Sequence, residues 1–237
     1  MLSLHGVTMH FGTVKAVEEL DLTIRRGERR ALVGSAGSGK STVMRLIAGA
    51  IRPTGGRVEY DGQDVTDLPE GRRSGIARIF QHGTAVAGLT CVEHVAMALG
   101  AHTCGRRLTP LAPDRRHAMA VEVLDLLRIV GLAEEANQST DRLPPGSRRR
   151  LEIAMALAAR PRLLLLDEPM TGMTAQERAL FADLVRGLPA DLAVVLTGGD
   201  REAVAAVSSH VTELERPEQI TVPAWRVRRR PARACRA

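Results

Sequence analysis

The stretch Leu32-Val33-Gly34-Ser35-Ala36-Gly37-Ser38-Gly39-Lys40-Ser41 constrains this chain more tightly than any other. An apolar strand end runs into a glycine-rich turn, and Lys-Ser then opens a helix, the G-x-x-x-x-G-K-[ST] spacing of a phosphate loop. Each part has a chemical reason. Gly34, Gly37 and Gly39 let the backbone curl without Cβ clashes, so that successive N–H groups form a nest for an anion. Lys40 is placed to reach β- and γ-phosphates, and Ser41 to offer its hydroxyl to Mg²⁺. The following helix N-terminus favours negative charge. Ser35, Ala36, Ser38 and Thr42 complete the candidate phosphate-binding set. An ordinary glycine-rich βα turn is the competing account. The strand before and the apolar face Val43, Met44, Leu46, Ile47 after argue against it.

Size and composition bound the rest. The 237 residues suffice for one large domain or two small ones, and 44% apolar content says globular. No run approaches 18 apolar residues, and the N-terminus lacks the pattern of a secretory signal. Three scattered cysteines (Cys91, Cys104, Cys235) suit a reducing cytoplasm. The net charge of +6 resides wholly beyond Glu215, where seven Arg face the single Glu218. The body is neutral, so the charge is no argument for nucleic acid as a partner. Arg148-Arg149-Arg150 reads as a solvated or subunit-facing surface, since one Trp, one Tyr and no aromatic interleaving make a poor nucleic-acid groove.

Short strands are expected over 2–10, 20–24, 29–33, 57–60 and 75–80, with an Asp61-Gly62 hairpin turn. Helices are expected over 40–48, 90–100, 114–131, 175–186 and 200–208, with another after Pro144-Pro145-Gly146 that ends at Pro161. The continuous apolar runs 163–166 and 192–197 read as strands covered on both faces of a parallel sheet. The expected architecture is an α/β nucleotide-binding core, residues 1–85 and 160–215, interrupted by a helical insertion at 86–159. The basic segment 216–237 is expected to be unstructured.

Leu163-Leu164-Leu165-Leu166-Asp167-Glu168-Pro169 supplies the second half of a site. A carboxylate at the end of a buried strand is where a Mg²⁺-phosphate assembly needs a fixed negative group. Asp167 is expected to hold the metal and Glu168 to orient or deprotonate the attacking water.

With both motifs in hand, the chain resembles the ATP-binding subunit of an ABC transporter over about residues 1–215. The resemblance implies a P-loop ATPase core with an antiparallel β subdomain and an inserted α-helical subdomain. It also implies an aromatic under the adenine ring at Phe11, and a glutamine at Gln81 that contacts Mg²⁺ and links the site to membrane subunits. The stretch from Leu143-Pro144-Pro145-Gly146 to Ile153-Ala154 resembles the Leu-Pro-Tyr-Gly signature of branched-chain amino acid importers. Asp167-Glu168-Pro169-Met170-Thr171-Gly172-Met173 fits the same subfamily. Implied with it are ATP and Mg²⁺, integral-membrane permease subunits, a second ATP-binding subunit, an indirect solute-binding receptor, and a cytoplasmic location against the inner membrane face.

Four departures stand out. The signature serine, which in the family donates to the γ-phosphate across a dimer, is Pro144, with neither hydroxyl nor N–H. Gly199 replaces the histidine that touches the attacking water; losing one such donor costs on the order of 10²–10³ in rate. His82 is read as a solvated loop residue rather than its substitute. The segment after Thr174 lacks the family's Asn or Asp, and no final strands are recognisable beyond Val211. The expected function is therefore an ATP-hydrolysing importer subunit. The alternative is an ATP-binding partner or regulatory subunit with little turnover. A soluble DNA- or ribosome-acting relative is disfavoured, because neither a second cassette nor a long coiled-coil insertion is present. Cys91 with His94 has no second pair to complete a metal site, and Met170 and Met173 are expected near the subunit interface.

Overall fold

The computed structural model describes residues 1–79, 86, 88–103 and 113–216. Gln81, His82, Cys104, Cys235 and all of the basic segment 216–237 except Arg216 lie outside the described residues.

Two sheets organise the chain. The first is antiparallel, in the order β2 (Val14–Ile24), β1 (Leu2–Phe11), β4 (Gly55–Tyr60), β5 (Gln63–Asp64). In β1 the buried residues change from even to odd positions, Leu2 and Leu4 giving way to Val7 and Met9. A register shift between Leu4 and Val7, with Gly6 at φ +55°, makes that change possible. The irregularity keeps one face of a long strand apolar despite the broken alternation.

The second sheet is parallel, in the order β6 (Ile76–Ile79), β7 (Leu163–Leu166), β8 (Ala193–Thr197), β3 (Arg29–Val33), β9 (His210–Glu213). Alternate residues of its central strands feed two different cores. Leu163 and Leu165 pack with α1 (Lys40–Ala48) and the antiparallel sheet. Leu164 and Leu166 face the core shared with α2 (Cys91–Thr103), α3 (Pro113–Ile129), α4 (Pro145–Leu157) and α5 (Ala175–Gly187). Burial on both faces is why the sequence there is a continuous apolar run. Met170 and Met173 belong to this second core, so their packing is accounted for within the chain.

Arg73 ties the connection between the sheets to α1. Its buried guanidinium donates to the carbonyls of Leu46 (2.7 Å), Ile47 (2.8 Å) and Leu68 (2.8 Å). Two of these belong to the last turn of α1, where carbonyls lack intrahelical partners. The helix that begins in the phosphate loop is thus anchored at its far end.

Several boundaries differ from expectation. Strand β2 begins at Val14 rather than Leu20, because it forms a hairpin with β1 from Phe11↔Val14 to Leu2↔Ile24. The expected helix 200–208 shortens to α6 (Arg201–Ala205), capped by Asp200 accepting from the Ala203 N–H at 3.1 Å. Strand β9 went unrecognised. His-Val-Thr-Glu shows no apolar alternation, and the strand exists through backbone pairing with β3.

Candidate nucleotide-binding site

The phosphate loop forms where β3 ends and α1 begins. Gly39 is the N-cap of α1 at φ +87°, and a Cβ there would lie 2.2 Å from the carbonyl oxygen of Ala16. A Cβ on Gly34 would lie 2.5 Å from both the Leu214 carbonyl and Ser38 Oγ. Both positions therefore need glycine for space as well as for backbone conformation. Lys40 Nζ donates to the carbonyls of Gly34 (2.7 Å) and Ser35 (2.9 Å), folding the side chain back over the loop. Ser38 is buried, and among the described residues its Oγ has no hydrogen-bond partner.

Across the cleft, β7 delivers Asp167. Its Oδ1 accepts from Ser41 Oγ (3.1 Å) and from Thr197 Oγ1 (2.9 Å). Its Oδ2 accepts from the Arg78 guanidinium at 3.3 Å, with side-chain exposures of 9% for Arg78 and 6% for Asp167. Thr197, at the end of β8, also accepts from the Glu168 N–H at 2.9 Å, so one buried hydroxyl fixes both acidic residues. Glu168 has φ +47°, a strained conformation for a residue with a side chain. Thr171 Oγ1 donates to its Oε2 at 3.4 Å. Arg78 and Thr197 were missed in the sequence. The available signals were a charged residue inside the short strand β6 and a hydroxyl at the end of a buried apolar run.

These elements enclose a cleft of about 410 Å³. Of the expected residues, Ala36, Gly37, Gly39, Lys40, Ser41 and Thr42 line it together with Glu168. Val14, Lys15, Ala16 and Arg216 complete the wall. Asp167 reaches the cleft through its bond to Ser41. Phe11 stands at the end of β1, 44% exposed and outside the lining. Gln81 falls outside the described residues. A hydroxyl and a carboxylate side by side at the mouth of an anion nest are hard oxygen donors, the set that suits Mg²⁺.

A second helix N-terminus behaves differently. Helix α4 has Pro144 as its N-cap and Pro145 as its first residue, so the first N–H available is that of Gly146. That N–H donates to Glu177 Oε1 at 3.0 Å. Glu177 also forms a capping box with Thr174 at the start of α5. Hydrogen bonds from the Thr174 and Gly146 N–H groups, and from the Thr174 hydroxyl, hold its carboxyl below the usual glutamate range.

The three arginines that follow, expected as a solvated or subunit-facing surface, also make intramolecular contacts, with Arg148 exposed and Arg149 and Arg150 half-buried. Arg148 donates to the carbonyls of Thr140 and Asp141, and Arg149 pairs with the buried Glu152. Arg150 reaches the Gly131 carbonyl and Ser147 Oγ. Gly199 borders a smaller cleft of about 220 Å³ that Glu168 also lines, with nothing within 4 Å of where its Cβ would stand. His94 is buried, accepting at Nε2 from the Val86 N–H (2.8 Å) with Nδ1 on the Thr90 carbonyl (2.9 Å). Both ring nitrogens therefore have structural partners.

Comparison with known proteins agrees with this geometry. The family profile described as "ABC transporter" matches residues 17–171. The high-affinity branched-chain amino acid transport ATP-binding protein BraF of Pseudomonas aeruginosa is 32% identical over 93% of each chain. The methionine import ATP-binding protein MetN of Rhizobium johnstonii is 34% identical over 91% of this chain; the match spans only 58% of MetN. Among solved structures, the dimeric post-hydrolysis state of the ATP-binding cassette MJ0796, bound to ADP and Pi, aligns with a TM-score of 0.74 at 25% identity. That alignment covers 91% of this chain and 95% of the cassette. The phosphate loop, the strand-end carboxylates and these likenesses together show that the chain belongs to the ABC transporter family, as an ATP-binding cassette with the P-loop ATPase fold.

Proposed function

We propose that this chain is the ATP-hydrolysing subunit of an importer for branched-chain amino acids or similar small polar solutes. Residues 1–215 are its cassette, with 86–159 as the helical insertion. The observation that carries this is the meeting of Lys40, Ser41 and Glu168 at one cleft, with Asp167 bonded to Ser41. The loop amides and Lys40 bind the β- and γ-phosphates. Ser41 and Asp167, with Gln81, hold Mg²⁺, which when bound neutralises charge on the phosphate oxygens. Glu168, fixed through its N–H by Thr197, orients the attacking water and takes its proton. Phe11 offers a ring for the base. No described helix is long and apolar enough to cross a membrane. In this reading the subunit works against permeases at the inner membrane face, paired with a second ATP-binding subunit, and serves a solute receptor only indirectly. Likeness to BraF supports the amino-acid assignment; likeness to MetN keeps the solute class broad. Equilibrium binding of labelled ATP is expected to weaken about a hundredfold in Lys40→Ala. Binding that survives the substitution would overturn the reading.

A second reading, a subunit of low intrinsic turnover, is favoured by one contact. The α4 N-terminus, which in the family resemblance faces the partner's nucleotide, already holds the Glu177 carboxylate. Gly199 adds to this by offering no side chain beside Glu168. Steady-state ATPase assays are expected to show slow wild-type turnover and a rise on the order of 10² in Gly199→His. Brisk turnover that the substitution leaves unchanged removes this second reading.

A further inference from the structure

We propose that Arg216 is a nucleotide-binding residue of this chain, a second cation that grips the phosphate groups from the C-terminal side of the loop. The inference rests on the reading of the Lys40 cleft as the nucleotide site. Backbone pairing delivers the residue there. Strand β9 runs parallel to β3 up to Val33↔Glu213, and the Leu214 N–H donates to the Val33 carbonyl at 2.8 Å. The Leu214 carbonyl then packs against Gly34, whose lack of a Cβ admits it. The chain after β9 consequently travels beside the phosphate loop. Two residues on, the Arg216 guanidinium lies on Gly37, with Nε and Nη2 each 3.7 Å from where a Cβ would stand.

The partners of the three cations in this cleft differ. Lys15 is paired with Glu18, and Lys40 donates to two loop carbonyls. Arg216 has no ion pair or side-chain hydrogen bond among the described residues, yet it lines the cleft with Lys40, Ser41 and Glu168. A planar guanidinium offers paired N–H donors that match phosphate oxygens, and charge-assisted bonds of this kind are the strong ones. The ligand class is accordingly the di- or triphosphate, not the nucleoside.

The test uses the full chain with labelled ADP, ATP and adenosine in metal-free buffer, so that no metal contact enters the readout. Arg216→Ala is expected to weaken ADP and ATP binding about tenfold, with adenosine and the thermal midpoint unchanged. Arg216→Lys should recover part of the loss, because it keeps the charge and loses the fork. The wild-type advantage should also shrink as salt rises from about 0.05 M to 0.5 M. Wild-type affinity in Arg216→Ala overturns the proposal. So does an equal loss for adenosine, or a loss that Arg216→Lys leaves unrecovered and salt leaves untouched. If Lys40→Ala still weakens binding about a hundredfold in any of these cases, the nucleotide site itself stands. Failure of the wild type to bind ADP or ATP would instead sink the underlying reading.

Discussion

Helices α1 and α4 both begin where the sequence suggests an anion, yet their N-termini are in opposite states. Helix α1 opens on Gly39 with no side-chain cap, and its first turn faces a cleft. Helix α4 opens on two prolines, and its first donor is held by a carboxylate from α5. The same backbone electrostatics act at both ends. What differs is the neighbour: at α1 Asp167, just past β7, takes the Ser41 hydroxyl and no side chain caps the helix, whereas at α4 the Glu177 carboxylate takes a backbone N–H. A helix N-terminus in a sequence is an offer, and packing decides whether the protein itself accepts it.

The largest test of this contrast concerns the open end, whose acidic side is a buried network. Asp167→Ala removes the ion-pair partner of Arg78 and the acceptor of Ser41 and Thr197. Breaking one half of a buried pair is expected to cost about 4 kcal/mol of stability, read from denaturant unfolding. A variant as stable as wild type would show that the network does not hold the cleft together.

Alanine at the two helix starts sharpens the comparison. Gly39→Ala meets the Ala16 carbonyl at 2.2 Å in a left-handed conformation, so a loss of about 2 kcal/mol is expected, with ATP binding lost alongside. Gly146→Ala meets the Glu177 side chain along its length, at 2.9 Å from Oε1, 3.0 Å from Cγ and 3.1 Å from Cβ, with no backbone atom among these contacts and no left-handed φ. The Glu177 side chain must give way, so a loss of about 1 kcal/mol is expected, smaller than at Gly39. Equal effects at the two glycines would erase the distinction drawn between the helices.

The smallest expected effect concerns the closed end. Glu177→Gln keeps an acceptor for the Gly146 N–H but removes the negative charge; ATP turnover at limiting nucleotide is expected to rise about threefold. The pH dependence follows from the depressed Glu177 pKa. Its contribution to stability is complete above the unfolded value and is lost as pH falls through the lower folded value. Thermal unfolding between about pH 5 and pH 3 should therefore show a steeper fall for wild type than for Glu177→Gln. Parallel curves would mean that the carboxylate contributes nothing at α4.

The legible parts were those fixed by local chemistry. Gly34, Gly37 and Gly39 before Lys40-Ser41, and four leucines before Asp167-Glu168, carry their geometry in short stretches of backbone. The capping box of Thr174 and Glu177 is local but went unread, and the reach of Glu177 to Gly146 across 31 positions is not local at all. Strand β9 was hidden because an edge strand held by backbone pairing needs little from its side chains.

By itself, then, the sequence determined that a phosphate loop and a strand-end carboxylate pair exist, since both depend on residue types that few other local conformations would use. Only the tertiary structure decided that Arg78 and Thr197 hold Asp167, that Arg216 lies on the loop, and that Glu177 fills the start of α4. Those pairings join residues 30 to 179 positions apart. Nothing in a local stretch of chain encodes which distant group arrives. That choice is made by sheet order and by the need to satisfy buried donors and acceptors.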